Sequence, residues 1–450
     1  MTAAHPPQAT APPDSVPHGT PEPARGPGAG HPAAPGRARS PRVARLARDL
    51  DELPGPDARA AALDRFWVEV RTSGTPLIEP LPNEPHHRAV TFLRRGGDTT
   101  GAVLLLANRL IDRGDYTSGL MEHLDGTDVW HFTYRLRADH RGSYRIAATE
   151  DAAEPTHDRL RSLAAEAVGD PLNPRTIATR WHGPPGSVFA LPEAPRQPWA
   201  GRRGGVPRGE VQRHRLRSEA LGATRDVWAY LPPTAAEPAD GADVLLLLDG
   251  DMWFGQLAAE DLFDNLHADA AVRPLVVLAP DAVDNATRMR EFGGRQPYTD
   301  FLTEELLPWA AARWPLRADP RRTTVAGQSL GGLGALHVGL EQRTHRVGNV
   351  VAQSPSLWWR PDIGPGIPSK METGEQWMSR RFAELPLREG LRVRLDVGLH
   401  EGAMATMVRE LFTRLDSRGY PTVLTEFNGG HDYTCWSGAL ADGLAALHTL

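Results

Sequence analysis

The sequence predicts an α/β protein: a mostly parallel sheet with helices on both faces, preceded by a small all-β sandwich. From about residue 211 onward, continuous apolar strands alternate with helical stretches, as in a parallel sheet buried on both sides. Between residues 87 and 148, short strand-like runs are separated by turn signals, as in a small sandwich. The stretch TTVAGQSLGGLGALHVGL, residues 323–340, sets a glycine-bracketed serine between an apolar strand and a small-residue helix.

A chain of 450 residues exceeds one ordinary core, so two domains with tails are expected. Residues 1–43 are mostly Pro, Ala, Gly and Arg, with too little apolar surface to offset ordering entropy, which predicts a disordered tail. A helical pattern follows from 44 to about 70, with Leu46, Leu50, Leu53, Leu63, Phe66 and Val70 available for one face. The runs HRAVTFLRR (87–95), GAVLLLANRL (101–110), DVWHFTYRL (128–136) and GSYRIAA (142–148) supply the sandwich. In the third, Trp130, Phe132, Tyr134 and Leu136 alternate with Val129, His131, Thr133 and Arg135, predicting a half-buried strand with an aromatic inner face. Residues 151–210, rich in turn signals such as DPLNP, read as an ordered linker. The second domain then occupies 211–450, with strands such as ADVLLLLDG, PLVVLAPD, VGNVVAQSPS, RVRLDVGLHE and PTVLTEFNGG.

The net charge of −6 argues against nucleic acid as a partner, since phosphate binding needs a basic surface. No apolar run approaches the roughly 18 residues of a membrane helix, so no membrane partner is expected. The lone cysteine, Cys435, fits a reducing compartment. No cationic segment followed by an apolar one marks the N-terminus as a secretion signal, so the expected location is the cytoplasm. No Cys/His cluster has metal-ligand spacing, so neither a metal site nor a cofactor is expected. The oligomeric state has no signature.

Glycines around Ser329 permit a strained strand-to-helix turn that lifts the hydroxyl above the sheet at a helix N-terminus. A serine needs a base held by an acid, and in such sheets they follow in the order Ser, acid, His. His431, in a Gly-Gly-His loop before the last helix, sits where that base belongs; His337, His345, His400 and His448 suit structural roles better. Glu401, just past a strand end, is preferred as the acid over Asp396, which lies within the strand. The N–H groups of Leu330 and Asp251 are the candidates for an oxyanion hole.

These residues carry a family resemblance. LLLDGDMWF, VAGQSLGGLGALHVGL, SPSLWW and GGHDYTCW, with GTDVWHFTYRLRADHRGSY and DPLNP earlier, resemble the enterochelin (ferric enterobactin) esterases from about Phe66 to the C-terminus. The resemblance implies an α/β-hydrolase fold behind the sandwich, and cytoplasmic hydrolysis of the esters of an imported ferric tricatecholate siderophore built on a serine trilactone. Iron would belong to the substrate alone. By the same match Ser329 is the nucleophile, His431 the base and Glu401 the acid, with Asp396 the alternative.

A ferric tris-catecholate carries a net charge of about −3, which favours arginine, a cation that stays charged when desolvated. Arg288 and Arg290 follow the strand PLVVLAPD on the expected active-site edge, with Arg295 and the N-terminal arginines behind them. Trp253, Trp358, Trp359 and Trp436 lie near the motifs and are candidates to stack on catechol rings. The other readings are an esterase acting on a feruloyl or acetyl ester, and a binding protein that sequesters a siderophore without cleaving it.

Overall fold

The structure is a computed structural model that describes residues 35–112, 114–151, 156–233, 241–363 and 376–448. Most of the expected tail, residues 1–34, lies outside the described residues, but its last part is built into the fold. Strand β1 (Gly36–Arg37) pairs with a later strand, and Ser40 caps helix α1 (Pro41–Glu52), its Oγ accepting from the Val43 N–H at 3.2 Å. The single helical pattern resolves into two helices, because Pro54 and Pro56 each lack a donor and break the run. Helix α2 (Pro56–Ser73) starts afresh.

The sandwich has two sheets. One runs β1–β6–β3–β2 through β2 (Leu77–Leu81), β3 (Glu84–Arg95) and β6 (Val129–Arg137), with β5 (Glu122–His123) against β6. The other runs β4–β7–β9–β8 through β4 (Ala102–Ala107), β7 (Arg141–Thr149), β8 (Thr176–Ile177) and β9 (Gly186–Ala190). Phe92, Phe132, Tyr134 and Leu136 meet Val103, Leu105, Tyr144, Ile146 and Phe189 between them. The strand at 128–136 buries Phe132, Tyr134 and Leu136 on its inner face as expected; on the other face Val129 and Thr133 are also buried, while His131 and Arg135 are only partly so. Helices α1 and α2 cover its far side, where Val129 packs with Phe66, Trp67 and Val70.

Residues 151–210 are therefore not a linker alone. Helix α3 (His157–Ala165) packs Leu160 and Leu163 on Leu104 and Ala147, and β8 and β9 complete the second sheet. Short strands flanked by prolines hid this domain's end.

The second domain is an eight-stranded sheet in the order β10–β11–β13–β12–β14–β15–β16–β17, antiparallel for β10, β11 and their junction with β13, and parallel thereafter. Its strands are β10 (Glu210–Ser218), β11 (Ala223–Leu231), β12 (Asp243–Leu247), β13 (Leu275–Pro280), β14 (Thr323–Gln328), β15 (Asn349–Gln353), β16 (Arg392–Gly398) and β17 (Thr422–Phe427). Its helices are α4 (Gly250–Trp253), α5 (Glu260–Ala268), α6 (Asn285–Phe292), α7 (Gln296–Asp300), α8 (Leu307–Ala311), α9 (Leu330–Glu341), α10 (Trp377–Glu384), α11 (Ala403–Ser417) and α12 (Tyr433–His448).

The continuous apolar strands follow from the two-sided cover. Along β12, Val244 and Leu246 enter the core with α6, α9 and α11, while Leu245 and Leu247 enter the core with α5 and α12. This is the α/β-hydrolase arrangement that was expected. No helix among the described residues is long and apolar enough to cross a membrane.

The two domains meet beneath the loop that follows β17. His140 is 1% exposed and its Nδ1 donates to Asn428 Oδ1 at 3.1 Å; the same oxygen accepts from His400 Nε2 at 2.8 Å. Burial, with a smaller push from His400, lowers the His140 pKa to about 3. The unfolded chain, with its histidine near 6.5, therefore binds a proton that the folded chain refuses, and stability falls as pH drops from about 6.5 towards 3. The loss from this residue alone reaches about 2 kcal/mol by pH 5. Buried His337, held near pKa 4, acts in the same direction. Urea midpoints at neutral and mildly acidic pH check this; an equal midpoint at both would contradict it.

Candidate active site

The elbow forms because β14 hands straight over to α9. Ser329 adopts φ 58° and ψ −119°, a conformation rarely taken by a residue with a side chain. The turn closes so tightly that a Cβ on Gly327 would lie 2.2 Å from Gly331 O, so only glycine fits there. Ser329 N–H donates to Gln353 O at 2.9 Å, and Ser329 O accepts from Ser356 N–H at 2.9 Å, which pins the strained residue to β15 and its exit.

Three side chains converge. Ser329 Oγ lies 2.9 Å from His431 Nε2, and His431 Nδ1 lies 2.6 Å from Glu401 Oε2. Glu401 is held by its other oxygen, Oε1, which accepts from Gly398 N–H at 2.7 Å and Ser354 Oγ at 2.6 Å. Ser354 Oγ in turn accepts from Trp436 Nε1 at 2.9 Å, and the Trp436 ring stands edge-on to His431 at 4.7 Å. A hydroxyl, an imidazole and a buried carboxylate in this sequence can activate the serine, since the carboxylate keeps the Nδ1 proton and leaves Nε2 as acceptor.

Asp396 is not part of this chain. It is fully buried on β16, where it accepts from Arg394 Nε at 3.0 Å and Gln353 Nε2 at 3.2 Å, and burial raises its pKa. Leu330 is the first residue of α9 and Asp251 the second of α4, positions whose N–H groups lack intrahelical acceptors. The Asp251 carboxylate turns away and accepts from Ala282 N–H at 2.9 Å, with burial raising its pKa.

The cleft above Ser329 has a volume of about 710 Å³ and is walled by both domains. Arg145, Arg161, Arg180 and Arg288 all line it, whereas Asp432 is the sole carboxylate among the described residues that line it. Arg288 lies beside the elbow, its Nη2 donating to Gln328 O at 3.2 Å. It shares Asp249 with Arg180: Arg288 Nε donates to Oδ1 at 2.6 Å and Arg180 Nη1 to the same atom at 2.8 Å. Burial pushes the Asp249 pKa up, but the two guanidinium groups outweigh it and hold the carboxyl below its usual range. Two cations on one anion leave a net positive charge at the floor of the cleft. Arg180 also donates to Tyr433 Oη.

Of the arginines and tryptophans singled out in the sequence, Arg288 and Trp436 reach the cleft. Arg290 is exposed on the opposite side of α6 and bonds Thr287 Oγ1 at 3.3 Å. Trp253 is buried, its Nε1 donating to Gln328 Oε1 at 3.0 Å, and Trp358 packs against the hydrolase core. Both fall outside the cleft lining, because the sheet's core lies directly under the motif segments. Sequence reading missed Arg180, Asp249, Ser354, Ser356 and Asn108. Arg180 sits in the proline-rich segment without any periodicity, and the Asp249 pairing depends on two arginines 69 and 39 residues away. Ser356 was inside SPSLWW, and its Oγ lies 3.2 Å from Ser329 Oγ.

Among the described residues no group of three or more His, Cys, Asp or Glu could hold a metal ion.

Comparison with known proteins gives a consistent set. Residues 89–200 match the family model "Enterochelin esterase, N-terminal", and residues 218–447 match the family model "Esterase". The chain is 34% identical over 399 residues to the iron(III) salmochelin esterase of Escherichia coli O6:H1 (strain CFT073), covering 86% of this chain and 94% of that one. It is 32% identical over 344 residues to the iron(III) enterobactin esterase of Escherichia coli K12, covering 73% and 81%. The crystal structure of the Shigella flexneri enterobactin esterase in the presence of enterobactin superposes with a TM-score of 0.72 at 28% identity, covering 85% of this chain and 97% of that one.

Proposed function

Because the chain belongs to the enterochelin esterase family, we propose that it hydrolyses the ester bonds of a ferric tricatecholate siderophore of the enterobactin or salmochelin type, in the cytoplasm. The observation that carries this reading is the union of the Ser329–His431–Glu401 chain with a cleft lined by four arginines. A generic esterase has no need of that charge. A trianionic iron complex does, and arginine suits partly desolvated anions because it stays charged and hydrogen-bonds in a planar fork. The lone cysteine, Cys435, supports the compartment.

Ser329 Oγ attacks a lactone carbonyl while His431 Nε2 takes its proton, and Glu401 steadies the imidazolium that forms. The N–H groups of Leu330 and Asp251 receive the oxyanion as the carbonyl becomes tetrahedral. Collapse breaks the C–O bond, and His431 returns the proton to the departing serine hydroxyl. Water, deprotonated by His431, then attacks the acyl-enzyme and frees Ser329. The first cleavage opens the trilactone, later ones shorten the linear product, and each weakens chelation.

The charge argument has its own test. Arg180→Ala leaves Asp249 and Arg288 as a neutral pair, so KM for the ferric siderophore is expected to rise about 10-fold, or roughly 1.4 kcal/mol. The kcat should change little, and the difference between wild type and variant should shrink at high salt. Steady-state kinetics at two ionic strengths decide it, and an unchanged KM would remove the electrostatic part of the proposal.

A further inference from the structure

We infer that the N-terminal domain is a working part of the active site, in which Asn108 is a positioning residue that fixes the backbone of His431 over Ser329. This rests on the esterase reading only through the pairing of Ser329 with His431.

The loop carrying His431 leaves β17, the last strand of the sheet, so no further strand braces its exit. The bracing comes from the other domain. Asn108 follows β4, and its own N–H is tied to Ser143 O at 2.9 Å. Its side-chain amide then meets His431 on both backbone groups: Oδ1 accepts from His431 N–H at 2.8 Å, and Nδ2 donates to His431 O at 3.2 Å. That two-point contact mimics strand pairing with a single side chain.

Neighbouring contacts fall in step. Arg141 N–H donates to Asn428 O at 3.1 Å, Arg141 bridges Gly429, and Ser143 Oγ donates to Asp432 Oδ2. The approach is close enough to dictate sequence. A Cβ on Gly430 would lie 2.5 Å from Asn108 Oδ1 and 2.9 Å from Asn108 O, so the residue before the histidine must be glycine. His431 is thus gripped twice, through its ring by Glu401 and through its backbone by Asn108. Losing the second grip lets the imidazole drift relative to Oγ, and a misplacement near 1 Å costs on the order of 100-fold in rate.

The test uses the full-length protein and a small fluorophosphonate probe, whose phosphorus Ser329 attacks with loss of fluoride, a step that depends on His431 but not on the distal cleft. Asn108→Ala should slow probe labelling and lower kcat on ferric enterobactin by similar factors, about 10- to 100-fold. KM should stay unchanged, as should the affinity for ferric enterobactin measured in the Ser329→Ala background. Asn108→Asp, which keeps the acceptor for His431 N–H but loses the donor, should give a smaller loss; it serves equally if Asn108→Ala does not fold. Wild-type labelling rates in the variants would overturn the inference. So would a loss confined to the siderophore, which would make Asn108 a substrate contact. Since the probe reports on Ser329 and His431 whatever the natural ester, a mistaken siderophore assignment would leave this test standing.

Discussion

Replacing Ser329 by alanine lowers the hydrolytic rate by about 10⁴- to 10⁶-fold, leaving the residual catalysis of the oxyanion donors and binding alone. The size follows from the chemistry, since the Ser329 hydroxyl sits on the imidazole nitrogen at 2.9 Å. Ser356 Oγ lies 3.2 Å from Ser329 Oγ, but the Nε2 contact at 2.9 Å belongs to Ser329. Stability should change by no more than about 1 kcal/mol, since the contact that buried Ser356 Oγ loses is a long one at 3.2 Å. The φ of 58° is retained as a strain in both proteins. Kinetics alongside a thermal melt check both halves. Substantial activity with an unchanged melt would remove Ser329 from the mechanism.

Glu401→Gln carries the next largest effect, a fall of about 10⁴-fold in kcat. The carboxylate oxygen that faces His431 Nδ1 at 2.6 Å would become an amide, and an amide N–H turned towards Nδ1 would favour the tautomer with its proton on Nε2. That tautomer cannot accept from Ser329. Asp396→Asn is the companion variant. It disturbs the contacts to Arg394 and Gln353 and should cost stability, yet lower the rate by less than about 10-fold. The two rates, measured side by side, rank the acids. A larger loss at Asp396 than at Glu401 would reverse the assignment.

How far this site could be read from the sequence depended on the range of each contact. Ser329 was legible because its constraint is local: two glycines, a strand before and a helix after, all within a few residues. His431 and Glu401 were legible because in a parallel sheet the active residues gather at the strands' C-terminal ends, so a position at the end of an apolar run is informative. Arg180, Asn108 and Asp249 obey no such rule. Their roles come from contacts across 253, 323 and 69 residues, and nothing in their neighbours announces them. The tryptophans misled for a related reason. Trp253 and Trp358 follow the right strands, but sequence proximity to a motif does not say whether a ring faces the cleft or the core. The second sheet of the sandwich was hidden by length: β8 has two residues and β9 five, too few for period-2 alternation to stand out.

The central claim, that this is an esterase of a ferric tricatecholate siderophore, is tested most directly by product analysis. Purified protein is incubated separately with ferric and iron-free enterobactin, and the products are followed by liquid chromatography with mass detection. The account predicts linear trimer, dimer or monomer of the dihydroxybenzoyl-serine unit, with the ferric complex consumed. Intact trilactone in both incubations, beside brisk cleavage of a simple aryl ester, would contradict it.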